Sequence, residues 1–221
     1  MKQLILLIII SLVMTSCNSQ TDLETLKIDT NVSSTLANTK FEKEKNIDFG
    51  LVTYVTEDIE NFKYGNVNFS NHTIKDNSKN SLIKYSSTLS IYVDDFKSNK
   101  LSGIKIEIEN EIEGKNLLKY VKSTLGKPLL ENVYNKDNQV QSGFLWDDKK
   151  NNQVVYISQQ TEYYNDPEER FVSTDITILK KGLKMIPSLE NKPENIKKLL
   201  EENPNAFDVL EVFKSYFQSK I

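Results

Sequence analysis

Between residues 100 and 109 the chain alternates without a fault: Ile104, Ile106 and Ile108 are apolar, and Lys105, Glu107 and Glu109 between them are charged. Successive side chains of a strand point to opposite faces, so this stretch must bury one face and wet the other. That pattern belongs to an antiparallel sheet, because strands of parallel sheets read as continuous apolar runs. Residues 49–56, 62–69, 82–93, 142–147, 154–160 and 172–179 are further strand candidates. Residues 82–93 and 100–109, joined through Asp94, Asp95, Ser98 and Asn99, predict a hairpin.

A helix is predicted over residues 113–125, where Leu117, Leu118, Val121 and Leu125 share one face. Gly126 follows as its cap, and Pro128 prevents continuation. Near the C-terminus Pro193 suits a first helical position, with Ile196, Leu199 and Leu200 on one face. Asn203-Pro204 is expected to restart a second helix whose stripe of Phe207, Leu210, Phe213 and Phe217 would cover a sheet. Residues 71–81, containing His72, and residues 161–169 read as polar loops. The fold class expected is α+β: a mainly antiparallel sheet, one mid-chain helix and a C-terminal helical pair, with the helices on one face.

Composition excludes several functions. The chain sets 28 basic against 31 acidic side chains, a net charge of −3, which is not the footprint of a nucleic-acid binder. Arg170 is the only arginine, so bidentate phosphate clamps are scarce. One cysteine and one histidine exclude disulfide scaffolds and most zinc sites. No glycine motif for a phosphate is present, and no cofactor is expected.

The N-terminus is the most specific segment. Behind Lys2, residues 4–14 form an apolar run, shorter than the ~20 residues that span a bilayer and of the length of a signal-peptide core. Met14-Thr15-Ser16-Cys17 follows, and it resembles the lipobox of bacterial lipoproteins. The resemblance implies that residues 1–16 are a signal peptide. It further implies that Cys17 carries the lipid, palmitate included, and that the chain is anchored to a membrane of the cell envelope, outer rather than inner. A lone exported thiol has no disulfide partner, and acylation would use it. The competing reading is an ordinary cleaved signal in which Cys17 is incidental. The Asn- and Lys-rich, Arg-poor composition is similar to that of lipoproteins of the Bacteroidota. Residues 17–45, polar and without a sustained period, read as a flexible tether, leaving residues 46–221 as a single α+β domain.

Residues 117–157 run from a helix ending in Leu125-Gly126-Lys127-Pro128 to a strand with Trp146, a turn and another strand. This order resembles the helix–LGxP–hairpin arrangement of small periplasmic lipoproteins of the BamE and β-lactamase-inhibitor-like type. Those families act by binding other proteins, so the resemblance implies a binding role.

Chemistry is sparse. His72 sits in a polar loop with no serine-nucleophile motif in the chain. Glu107, Glu109, Glu111 and Glu113 alternate and are expected on a solvent face, whereas glycosidase chemistry needs two carboxyls facing each other across a cleft. Asp94-Asp95 and Asp147-Asp148 lack the loop spacing of a calcium site, and no metal is expected. Residues 159–167 set Tyr163 and Tyr164 among amides and carboxylates, raw material for recognising protein or sugar. Trp146 and Tyr156, on nearby strands, are expected to share that surface. The function expected is a lipid-anchored, non-enzymatic binding or assembly domain with an envelope protein partner. A carboxylate-dependent enzyme acting on envelope glycans is the alternative.

Overall fold

The computed structural model describes residues 20–37, 39–75, 84–136, 139–164 and 169–218. Cys17 and the signal sequence lie outside the described residues. The strands are β1 (Thr21–Asp22), β2 (Glu42–Lys45), β3 (Val52–Thr56), β4 (Phe62–Tyr64), β5 (Val67–Asn68), β6 (Thr73–Lys75), β7 (Lys84–Ser86), β8 (Thr88–Val93), β9 (Leu101–Ile108), β10 (Leu130–Lys136), β11 (Gln139–Asp148), β12 (Gln153–Tyr164) and β13 (Glu169–Lys180). The helices are α1 (Ser33–Leu36), α2 (Glu111–Leu125), α3 (Pro193–Glu202) and α4 (Val209–Ser215).

Eight strands form one sheet in the order β10-β11-β12-β13-β9-β8-β3-β2, antiparallel throughout. With α2 in mid-chain and two C-terminal helices, the fold class is α+β. The expected hairpin forms, with Ile91 opposite Ile104 and Leu89 opposite Ile106. Its isoleucines meet Ile176 and Ile178 of β13, so one face of the sheet, the first face, is apolar across its centre.

The first face is closed by α2 and by a small sheet, β1-β4-β5. Helix α2 starts where Asn110 caps it, its side chain accepting from Ile112 N at 3.1 Å and Glu113 N at 3.3 Å. It ends at Gly126, whose φ of 72° suits a residue without a Cβ. Leu117 and Val121 are fully buried beneath it, each contributing roughly 1.5–3 kcal/mol of apolar burial. Gly114 brings the helix against β13: a Cβ there would stand 2.2 Å from Thr174 Oγ1.

The helices do not all lie on one face, as the sequence suggested. Leu145, Val154 and Leu179 alternate with first-face residues and project to the second face, where Val209 and Phe213 of α4 bury them. The Phe213 stripe therefore covers a sheet as expected, but the opposite side of it from α2. Helix α4 begins later than Asn203-Pro204, because Asp208 accepts from Leu210 N at 3.0 Å and sets the cap there.

The expected tether is also corrected from Gln20 onward. Gln20 Nε2 donates to Glu60 O at 2.8 Å, β1 pairs in parallel with β4, and Leu23 and Val32 are 2% and 1% exposed in the main core. Two isolated apolar side chains in a polar stretch leave no periodic trace, yet each fills a core position. β2 then adds an edge strand to β3. The strand expected at residues 62–69 folds back on itself instead, as β4 and β5 with Gly65 at φ 57° between them. β10, exposed along most of its length, forms an edge strand where none was expected.

The register orients the domain. At one end of the large sheet lie the β8–β9 and β11–β12 turns. At the other lie Ile108, the start of α2, and the far part of the β12–β13 hairpin, which pairs Tyr164 with Glu169. Glu60 follows Thr56, which pairs with Leu89 at this second end, so Gln20 enters the domain there.

Candidate functional site

Where only water faced an amphipathic strand, β9 would present a free row of charges; the second face is different. Lys105 Nζ donates to Glu107 Oε1 at 2.5 Å and lies 3.5 Å from Asp175 Oδ2 on the neighbouring strand. Thr88 Oγ1 donates to the other Glu107 oxygen at 2.6 Å. The register makes this inevitable once β9 and β13 pair, since it sets Asp175 opposite Glu107 and Thr177 opposite Lys105. All three charged groups are about one-third exposed, at 29% for Lys105, 36% for Glu107 and 37% for Asp175.

Burial works against the Glu107 carboxylate, but the hydrogen bonds from Lys105 and Thr88 outweigh it and hold it below the usual carboxylate range. Burial pushes Asp175 up, with Glu107 adding to it and Lys105 opposing. Glu109, one step along, has a buried oxygen, Oε2, that meets no hydrogen-bond partner among the described residues. Its burial, reinforced by the charges of Asp175, Glu107 and Glu162, pushes it up to about 7. The stripe thus holds carboxylates set to opposite protonation behaviour around a single lysine.

Beside it stands an aromatic wall. Tyr156 stacks on Phe213 with ring centroids 4.9 Å apart and 21° between planes, and Tyr216 and Phe217 meet it edge-on at 5.8 and 6.2 Å. A cavity of about 240 Å³ opens between this wall and Asn132, Gln141, Ser158 and Gln160. At the other end of the second face, Phe171 packs on Tyr164 and on Tyr85 of the β6–β7 ribbon, at 5.9 and 5.4 Å. The polar stripe is the open floor between these two aromatic boundaries.

The residues expected to form one recognition surface are separated. Trp146 pairs with Val155 and so lies on the first face, buried, its Nε1 donating to Gly126 O at 2.9 Å. Tyr156 pairs with Leu145 and lies on the second face. The two cannot share a surface, because the β11–β12 turn sets a register in which even positions face odd ones. Tyr163 and Tyr164 are not in a loop: both extend β12, opposite Arg170 and Glu169, and as strand neighbours they point to opposite faces. Tyr163 is 42% exposed.

The row of alternating acids ends at Glu109, since Glu111 and Glu113 belong to the first turn of α2, where Glu113 accepts from Ser70 N at 3.2 Å. The Lys105–Glu107–Asp175 cluster was missed because Asp175 lies far away in sequence; the signal that could have found it is the matching alternation of residues 172–179. His72 offers its backbone carbonyl to Ser87 N at 3.1 Å. Asp148 accepts from Asn151 N at 3.2 Å within its turn, Asp94 and Asp95 cap theirs, and Asp147 pairs with Lys181 at 2.6 Å. Among the described residues no group of three or more His, Cys, Asp or Glu is placed to hold a metal ion, and no helix is long and apolar enough to cross a membrane. Comparison of the chain with protein-family models, curated proteins and solved structures gives no match.

Proposed function

We propose that this chain is a lipid-anchored protein of the bacterial cell envelope that works as a non-enzymatic binding or assembly domain for an envelope protein. The anchor reading rests on Met14-Thr15-Ser16-Cys17 behind the apolar residues 4–14. The binding reading is supported by one observation: on the second face Lys105, Glu107 and Asp175 form a charged stripe about one-third exposed, where a partner's charged side chains can reach it. The tyrosine and amide wall beside it supplies rigid apolar area and polar groups, the mixture found in protein interfaces.

The test is co-purification from native membranes in mild detergent. A stoichiometric envelope protein recovered with the wild type, and lost with Glu109→Gln/Asp175→Asn while circular dichroism shows the variant folded, supports the reading. Retention of that protein by the double variant removes the stripe from the interface. For the anchor, Cys17→Ser should leave an unprocessed precursor; a mature-sized product partitioning with membranes as before would overturn it.

A further inference from the structure

The sequence suggests a domain standing off the membrane on a long tether, and the packing of Gln20 removes that tether. Only Asn18 and Ser19 separate Cys17 from Gln20, whose side chain is fixed to Glu60 at 2.8 Å and whose successor starts β1. Three Cα–Cα steps of 3.8 Å reach about 11 Å at most. A lipid on Cys17 would therefore hold the Gln20 end of the domain within about 11 Å of the headgroups, which themselves form a layer several Å deep.

The register fixes what else lies at that end. Ile108 and the start of α2 are there, with Ile112 at 72% exposed, and so is the part of β12 that outruns β9, with Tyr163 at 42% exposed. The β6–β7 ribbon is tied in beside them, Tyr85 Oη donating to Tyr163 O at 3.5 Å. Tyrosine is a preferred side chain at the membrane–water interface, because its ring is apolar and its hydroxyl wet.

We infer that the end of the sheet carrying Gln20, Ile112 and Tyr163 is a membrane-contact surface, lying on the phospholipid headgroups, with the β8–β9 and β11–β12 turns pointing away. This rests on the lipid-anchor reading. It gives Tyr163 a lipid partner and leaves the second-face stripe on the flank, open to a protein beside the domain.

An acylated Cys17 has no free thiol, so a single engineered cysteine can be labelled selectively. The lipidated full chain carrying Glu60→Cys, Tyr163→Cys or Lys150→Cys is labelled with a small fluorophore. Each is reconstituted into vesicles of phosphatidylethanolamine and phosphatidylglycerol that contain a headgroup-spin-labelled lipid. From Arg170, opposite Tyr163, to Lys180 the ten steps of β13 span about 33 Å at about 3.3 Å per residue, so quenching at Tyr163 should exceed that at Lys150 by about threefold or more. Glu60 is four residues beyond Thr56, which lies level with the middle of β13, and should be quenched more than Lys150 by a smaller margin. Glu60 provides the reading if the Tyr163 variant fails to fold. Equal quenching at the two ends, or stronger quenching at Lys150, in protein whose mass shows the lipid overturns the membrane-contact surface alone. A wild-type Cys17 that accepts the label, with the protein in the supernatant, overturns the anchor and the surface together.

Discussion

The indole nitrogen of Trp146 lies 2.9 Å from the carbonyl oxygen of Gly126, so β11, the second strand after α2, holds the residue at which α2 ends. One contact fixes both the exit of the helix and the depth of β11 in the core. Trp146→Phe should lose the donor, leave that carbonyl less well satisfied and open a small cavity, costing about 1–3 kcal/mol. Urea denaturation would measure it. Partner binding by the folded fraction should not change.

Gly114→Ala tests the docking of α2. The added Cβ would meet Thr174 Oγ1 at 2.2 Å and Thr174 Cβ at 2.7 Å, and Thr174 is fully buried on a central strand with its Oγ1 accepting from Gln159 Nε2 at 3.0 Å, a bond that turning it away would break. An exposed helical Gly→Ala change is normally stabilising by up to about 1 kcal/mol. Here a loss of about 1–3 kcal/mol is expected from overpacking, visible as a lower melting temperature.

Lys105→Met removes the cation that, among the described residues, pairs with Glu107 and Asp175 across β9 and β13. At neutral pH this should destabilise by about 1–3 kcal/mol, less than a fully buried pair because the groups are partly wet. Glu107 is held below its ordinary value of 4.5, so its stabilising contribution is present above that pH and lost as pH falls. The gap between variant and wild type should therefore close in acid, as thermal melts at a series of pH values would show.

Glu109 behaves in the opposite sense. Its carboxyl is raised from 4.5 to about 7, so between these pH values the folded state holds a proton that the unfolded chain has released. Its stabilising effect is complete below about pH 4.5 and is lost as pH rises through 7. Glu109→Gln should flatten this part of the stability–pH curve, by on the order of 1–2 kcal/mol after allowance for solvent screening. An unchanged slope would show that Glu109 titrates normally.

The strands that form the hairpins were legible because their apolar residues alternate, as Ile104, Ile106 and Ile108 do, and one period-two run suffices to place a strand. β10 was not, because Leu130-Glu-Asn-Val-Tyr-Asn-Lys is an edge strand with little to bury. The faces of Trp146 and Tyr156 were hidden for a different reason. Alternation within each strand is readable, but their relative orientation depends on how many residues the β11–β12 turn uses. Asp175 belongs with Lys105 only through long-range strand pairing, which leaves no local mark. Tyr163 and Tyr164 looked like loop residues because their support comes from Glu169 and Arg170 across the hairpin.

The burial of Leu23 and Val32 also decides where the chain may be cut. A protein begun at residue 46, where the composition turns β-rich, would lose two core side chains and the β2 strand that shields β3. Its sheet would then end in Val52–Thr56, a β-branched segment with free backbone groups, which is a template for joining another copy. One begun at Gln20 keeps the plug and the shield, so the soluble form suited to crystallisation or partner screening starts barely past the cysteine.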